Sequence, residues 1–165
     1  MNKKKMYILS VLTLLWTGFI FSMSLKVGED SGRLSGGVLN IILDIISPLW
    51  ENIFGPITDN GIELFHHFIR KAAHFTEFMV LGVLALSTAL NFEKLRFKWL
   101  VALSYGLLIA SLDETLQLFV EGRAGRVGDV CIDLCGVLTG VMLTILFLKI
   151  RGGSFGKGNK CVKAK

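Results

Sequence analysis

The stretch from Asp113 to Asp133 places charged side chains between two apolar runs. It holds seven charged residues among 21, whereas residues 99–112 before it and 134–148 after it carry none. Ionisable groups within or beside lipid hydrocarbon cost free energy, and where they occur they mark functional sites more often than not. The stretch therefore predicts a polar site. The alternative interpretation is that these residues cap two helices and link them.

A second set of polar residues lies upstream on a single helical face. Arg70, His74 and Glu77 follow the spacing i, i+4, i+7, so their side chains share one side of a helix. At 1.5 Å per residue, Glu77, Asp113 and Asp133 lie about 6–10 Å inside the ends of three separate predicted helices. We expect these carboxylates to meet in one water-accessible cluster near the outer face of a membrane. We expect them to pair there with nearby cationic groups, which are Arg70, His74, Arg123 and Arg126.

The composition indicates an integral membrane protein. The 165 residues are 52% hydrophobic, with a mean hydropathy of +0.60, and the apolar residues occur in blocks. The net charge of +5 comes largely from the termini and one connection, which favours contact with anionic lipid and not with nucleic acid. The three cysteines, Cys131, Cys135 and Cys161, form neither a disulfide framework nor a zinc-binding pattern, and we interpret them as structural or incidental thiols.

The apolar blocks predict four membrane-spanning helices. Their expected ranges are 6–25, a helix from a capping box at Asn60 and Glu63 to Leu90, 99–120 and 129–150. Asp129 is the expected N-cap of the last helix, and Gly136 and Gly140 would let that helix approach a neighbour closely. The fold class is thus all-α, an integral membrane bundle of four transmembrane helices plus an amphipathic helix on the outer face. Residues 1–150 form one domain, and the basic tail 151–165 is expected to be disordered and cytoplasmic.

Two further segments have alternative interpretations. Residues 38–54 have amphipathic spacing interrupted by Pro48, which predicts a helix on the outer leaflet or a lid packed on the bundle. The first apolar run is long enough to span, although a signal peptide cleaved near Ser22–Ser24 remains the competing interpretation. Lysine and arginine cluster at residues 3–5, 91–98 and 149–165, so both termini are expected on the cytoplasmic side.

Three motifs together resemble the VanZ-like family. They are RKAAHFTEF at 70–78, DETLQLF at 113–119 and GRAGRVGDV at 122–130, followed by Asp133 and Gly136. The resemblance covers roughly residues 66–145. It implies a small protein of the bacterial cytoplasmic membrane, whose namesake is associated with low-level resistance to the glycopeptide teicoplanin. Carried over by motif position, the residues of interest are Arg70, His74, Glu77, Asp113, Glu114, Gln117, Arg123, Arg126, Asp129 and Asp133.

Two classes of function fit these residues. In the first, the cluster binds a lipid head group, a cell-wall precursor or the lipid tail of an amphiphilic drug, with Arg70, Arg123 and Arg126 facing phosphate or carboxylate. In the second, an intramembrane enzyme acts on an envelope lipid or its phosphate-containing head group. There His74 is the acid/base residue poised by Glu77, and Asp113 or Glu114 is nucleophile, base or metal ligand. Gln117, Asp129 and Asp133 complete the binding set in either class.

Structural roles remain open for individual residues. Glu77 could form a buried pair with Arg123, and Asp133 could link helices through Gln117. A transporter is disfavoured, because the chain shows no internal repeat or broken helix. The sequence identifies no cofactor, and no metal is expected because a single histidine lies at the depth of the acids. The expected partners are membrane lipid and possible envelope ligands such as a cell-wall precursor or glycopeptide.

Overall fold

The computed structural model describes residues 3–25, 37, 59–120 and 125–152, excepting the side chains at positions 59, 60, 63 and 66. Within these ranges the chain forms four long helices. They are α1 (Lys3–Ser24), α2 (Asp59–Ala89), α3 (Lys98–Gln117) and α4 (Val127–Ile150). All four are long and apolar enough to cross a membrane, so the protein is a multi-pass helical membrane bundle.

The helices alternate in direction, which brings particular ends together. Ser24 at the end of α1 bonds to Asp113 near the end of α3, while Lys71 early in α2 contacts Asp129 early in α4. We call this level of the bundle the site end. The connection between α2 and α3 lies at the opposite end, where Lys98 Nζ donates to the carbonyl of Leu90.

Large apolar side chains cover the outside of the bundle. On α1, for example, Leu14 and Leu15 are each 66% exposed, and Phe147 of α4 is 57% exposed. In water such a surface would be unstable, but in a bilayer it contacts lipid chains without penalty. The buried core is narrow by comparison and includes Ile20 and Phe78.

Helices α2 and α4 pack backbone to backbone along a row of glycines. A methyl group added at Gly136 would meet the carbonyl oxygen of Phe75, and one at Gly140 would meet that of Met79. The relation is reciprocal, since Gly82 of α2 faces the carbonyl oxygen of Val137. This row of Gly82, Gly136 and Gly140, the glycine seam, confirms the close approach that the glycine spacing predicts.

Hydroxyl and indole groups attach α1 to the rest of the bundle. Thr13 Oγ1 lies 2.9 Å from Thr88 Oγ1, and Thr17 Oγ1 lies 2.9 Å from the hydroxyl of Tyr105. Trp16 Nε1 donates to the backbone carbonyl of Glu77 at 2.9 Å. Interhelical hydrogen bonds of this kind are worth about 0.6 kcal/mol each in a membrane. Together with the burial of Ile20, they make α1 an integral part of the bundle.

Two predicted helix starts are wrong. Helix α4 begins at Val127 with Arg126 as its N-cap, so Asp129 lies inside the first turn, where its carboxylate reaches across to Lys71. Helix α2 begins at Asp59, two residues earlier than a cap at Asn60 requires. The predicted amphipathic segment 38–54 and most of the basic tail lie outside the described residues.

Candidate functional site

Asp113 is the centre of a buried polar group at the site end. Its side chain is 0% exposed, and its Oδ2 accepts hydrogen bonds from Ser24 Oγ at 2.7 Å and from Gln117 Nε2 at 3.0 Å. Gln117 follows Asp113 by one helical turn, as the sequence spacing indicates, whereas Ser24 comes from α1. Two donors on one oxygen fix the orientation of the carboxylate.

Asp133 approaches Asp113 from α4, and His74 approaches both from α2. One ligand atom from each of these three residues lies within 4.8 Å of the other two. Asp133 is 1% exposed, and within the described part of the chain no hydrogen-bond donor reaches its Oδ2. We call His74, Asp113 and Asp133 the buried triad. It brings side chains from three helices to one point, and for Asp113 and Asp133 this agrees with the depths calculated from the sequence.

Glu77 lies beside the triad without being part of it. Its Oε2 is 3.9 Å from His74 Nδ1, an ion-pair distance that is too long for a hydrogen bond. The backbone carbonyl of the same residue accepts the indole N–H of Trp16. Glu77 thus lies one turn further along α2, at a distance from which its charge would stabilise a protonated imidazole.

Glu114 faces the start of α4. Its side chain is 6% exposed, and its Oε2 accepts the backbone N–H of Arg126 at 2.8 Å. The N-terminal N–H groups of a helix carry a partial positive charge and favour a carboxylate. Glu114 therefore caps α4 from another helix, a role that the sequence assigned to Asp129.

A cleft with a cavity of about 30 Å³ opens beside these groups. Arg70 and Lys71 line it from α2, with Lys71 Nζ 2.7 Å from Asp129 Oδ1. Arg70 is exposed, and its guanidinium lies 3.3 Å from His67 Nδ1. The other lining residues are His74, Glu114, Gln117, Asp129, Ile132 and Asp133. The cleft thus has two basic side chains on its α2 wall and buried carboxylates deeper inside.

The structure places the predicted site residues in three groups. The residues of the first group line the cleft or form the buried triad; they are Arg70, His74, Asp113, Glu114, Gln117, Asp129 and Asp133. Glu77 contacts His74, and Arg126 contributes a backbone N–H while its side chain is exposed. Arg123, including its predicted pairing with Glu77, lies outside the described residues.

One contact and one residue of the site differ from the sequence-based expectation. The Gln117 amide bonds to Asp113 on its own helix, and lies 3.5 Å from Ser24, although the expected partner was Asp133. Ser24 itself was not predicted as a site residue. It is one of several hydroxyl residues in the first span, and the sequence contains no signal that distinguishes it from the others.

The sequence model of the VanZ/LLP1 family matches residues 9–148, which is most of the chain and all of the motifs at the site end. The chain belongs to the VanZ/LLP1 family. No curated protein and no solved structure matches it. In this VanZ/LLP1 chain the matched segment runs from the first turns of α1 to the last turns of α4. It therefore includes Ser24 as well as the residues of the three motifs.

Proposed function

We propose that the protein binds the anionic head group of an envelope amphiphile in the cleft at the site end. The supporting observation is that Arg70 and Lys71 line the cleft together at the site end of the bundle. Guanidinium and ammonium groups are the usual ligands of phosphate and carboxylate, arginine with bidentate geometry. The apolar outer surface beside the cleft would accommodate the lipid chain of the same molecule.

The cellular setting follows from the family resemblance and the charge distribution. We place the protein in the bacterial cytoplasmic membrane with both termini inside, so that the site end faces the exterior. A membrane lipid, a cell-wall precursor and a lipoglycopeptide each present an anionic group there. Tolerance of teicoplanin is the phenotype that such binding would produce if the bound amphiphile is the drug or its target.

Binding is tested with the purified full chain in neutral detergent. Short-chain phosphatidic acid, short-chain phosphatidylcholine and inorganic phosphate are titrated separately by calorimetry. We expect phosphatidic acid to bind and phosphatidylcholine to bind much more weakly, because its head group is zwitterionic. Arg70→Gln and Lys71→Gln should each weaken the affinity about 10- to 150-fold, in line with the loss of a charge-assisted contact of about 1.5–3 kcal/mol.

Lys94→Gln is the matched control, because Lys94 is an exposed cation in the connection at the opposite end. An equal loss of affinity in Lys94→Gln would indicate nonspecific attraction and reject the cleft as the binding site. Binding of inorganic phosphate alone would identify a phosphate site, and binding that requires the lipid would identify an amphiphile site. In cells, teicoplanin tolerance should fall with Arg70→Gln and be kept with Lys94→Gln.

An intramembrane enzyme is the second candidate, favoured by the proximity of His74 to two carboxylates. In hydrolysis of a phosphate ester, His74 would take a proton from water as the water oxygen attacks phosphorus. The ester oxygen would leave with a proton supplied by a carboxylic acid of the site. Comparison of lipids from cells with wild type and with Asp113→Asn separates the candidates. A head group that changes only with the wild-type protein supports the enzyme, and an unchanged lipid profile supports binding.

A further inference from the structure

We propose that His74, Asp113 and Asp133 bind a divalent metal ion, such as Zn²⁺, at the base of the cleft. The inference deepens the proposed function, since a cation there would attract the same anionic head group. It departs from the expectation, drawn from the sequence, that no metal is bound. That expectation rested on the presence of a single histidine among the acids, whereas the structure brings ligand atoms of this histidine and two of the acids within 4.8 Å of one another.

The geometry of the triad is near that of a metal site. Its three ligand atoms lie within 4.8 Å of one another. Zinc bonds to imidazole nitrogen and carboxylate oxygen measure about 2.0–2.2 Å, so two ligands of a tetrahedral ion stand roughly 3.3 Å apart. Side-chain rotations that shorten the distance between each two ligand atoms by about 1.5 Å or less would therefore close the triad around an ion. One imidazole and two carboxylates suit Zn²⁺ or Mn²⁺ better than Mg²⁺ or a thiol-seeking ion.

The second observation comes from Asp133. Its Oδ2 is buried and meets no hydrogen-bond donor in the residues that the structure describes, and it belongs to a side chain that lines the cleft. Burying an ionised carboxylate without compensation costs several kcal/mol. A second carboxylate, Asp113, lies close by and increases the cost. A divalent ion would compensate both charges and give Asp133 Oδ2 a ligand bond.

The surroundings of the triad resemble the supporting contacts of metal sites. Ser24 and Gln117 donate hydrogen bonds to the Oδ2 atom of Asp113. Outer groups of this kind fix the orientation of ligands and raise their basicity. Three protein ligands also leave a fourth zinc position for water or for another molecule. Since His74 and Asp133 line the cleft, that position is accessible to a bound phosphate or carboxylate.

The test uses the purified full chain, stripped of metal and without added amphiphile. The three cysteines are replaced by serine, because Cys131 and Cys135 are exposed thiols that would bind zinc themselves. Equilibrium dialysis against Zn²⁺, read by elemental analysis, should give about one equivalent for a three-ligand site. Titration with Co²⁺ should produce the visible d–d bands of a nitrogen and oxygen site. The Co²⁺ spectrum is recorded with all three residues of the triad unchanged. It therefore does not depend on whether a variant of the triad folds.

Asp133→Asn and His74→Gln should each weaken Zn²⁺ binding by at least about tenfold, since changes in outer contacts alone cost 10–100-fold. Glu93→Gln is the matched control, an exposed acid at the opposite end, and should bind as the parent does. Circular dichroism and a single elution peak establish that each variant is folded. Absence of binding by the parent, or unchanged binding by Asp133→Asn, would overturn the proposal.

The outcome is separable from that of the proposed function. Zinc binding that persists while phosphatidic acid fails to bind would uphold the metal site and reject head-group binding. Head-group binding by a protein that takes up no metal would uphold head-group binding and reject the metal site.

Discussion

Ser24 Oγ, at the end of the first helix, donates a 2.7 Å hydrogen bond to Asp113 Oδ2 on the third helix. Both side chains are 0% exposed. The N-terminal helix therefore supplies part of the polar site, in addition to any role it has in directing the chain to the membrane. Its other contacts, through Trp16 and Thr13, run along the same face of α1 toward the opposite end of the bundle.

Ser24→Ala should destabilise the bundle and disturb the site. The variant removes a charge-assisted bond from a buried carboxylate, so we expect the free energy of unfolding to fall by about 1–3 kcal/mol. Reversible unfolding in mixed detergent micelles measures the change.

Ser22→Ala is the control for that variant, because Ser22 is exposed and bonds to a carbonyl of its own helix, that of Phe19. Equal stability of the two variants would contradict the structural role of Ser24. Mass spectrometry of the purified protein supplies an independent check, since a protein that uses Ser24 must keep it in the mature chain.

Gly140→Ala should destabilise the bundle strongly. The added methyl group would collide with the backbone of Met79 and Val83, which cannot move aside as a flexible side chain can. Overpacking of this kind costs about 1–3 kcal/mol, occasionally more. The thermal unfolding midpoint in detergent reports the effect.

Gly128→Ala on the same helix provides the comparison, because a methyl group there meets nothing within 4 Å. Alanine is favoured over glycine within helices by about 0.8–1.0 kcal/mol, so this variant should be neutral or slightly more stable. A similar loss in both variants would argue against a close contact at the glycine seam.

The ion pair between Lys71 and Asp129 should contribute little to stability. Their side chains are 32% and 23% exposed, and pairs accessible to water are worth about 0.2–1 kcal/mol. A double-mutant cycle with Lys71→Met and Asp129→Asn should give a coupling energy in that range. A coupling above about 2 kcal/mol would show that the pair is structural, and the role of Lys71 in head-group binding would need revision.

The orientation of the bundle can be tested by cysteine labelling. In a cysteine-free background, a cysteine at Leu118 near the site end should react with a membrane-impermeant maleimide in intact cells. A cysteine at Glu93, at the opposite end, should react only after permeabilisation. Both positions are exposed and lie outside the candidate spans, so a difference reports the side of the membrane and not burial. The reverse pattern would place the cleft in the cytoplasm and contradict the predicted topology.

The sequence predicted the bundle well because its main determinants are local. Span length, apolar composition and the spacing of Gly136 and Gly140 are properties of single segments, and all four spans are present within a few residues of their expected ends. The depth of each acid along its helix is likewise a local quantity. For that reason the approach of Asp113 and Asp133 could be anticipated from two separate helices.

The partners within the site could not be predicted in the same way. Which side chain meets Gln117 depends on the rotation of each helix about its axis. Its amide bonds to Asp113 and lies 3.5 Å from Ser24 of α1, whereas the sequence suggested Asp133 of α4 as its partner. The N-cap of α4 was misassigned because Glu114, on another helix, contacts the first turn and leaves Asp129 for Lys71. The spacing of residues along one helix does not specify such contacts between residues of different helices.

The glycine seam also limits how a ligand can enter. His74 precedes Phe75 by one residue, and Asp133 precedes Gly136 by one turn. The two helices that carry these cleft residues, α2 and α4, are therefore in backbone contact next to the cleft. Backbones held this closely cannot spread apart without breaking the seam. The seam therefore fixes the separation of the two backbones that carry His74 and Asp133, and leaves side-chain rotation as the way in which these two walls can adjust to a ligand.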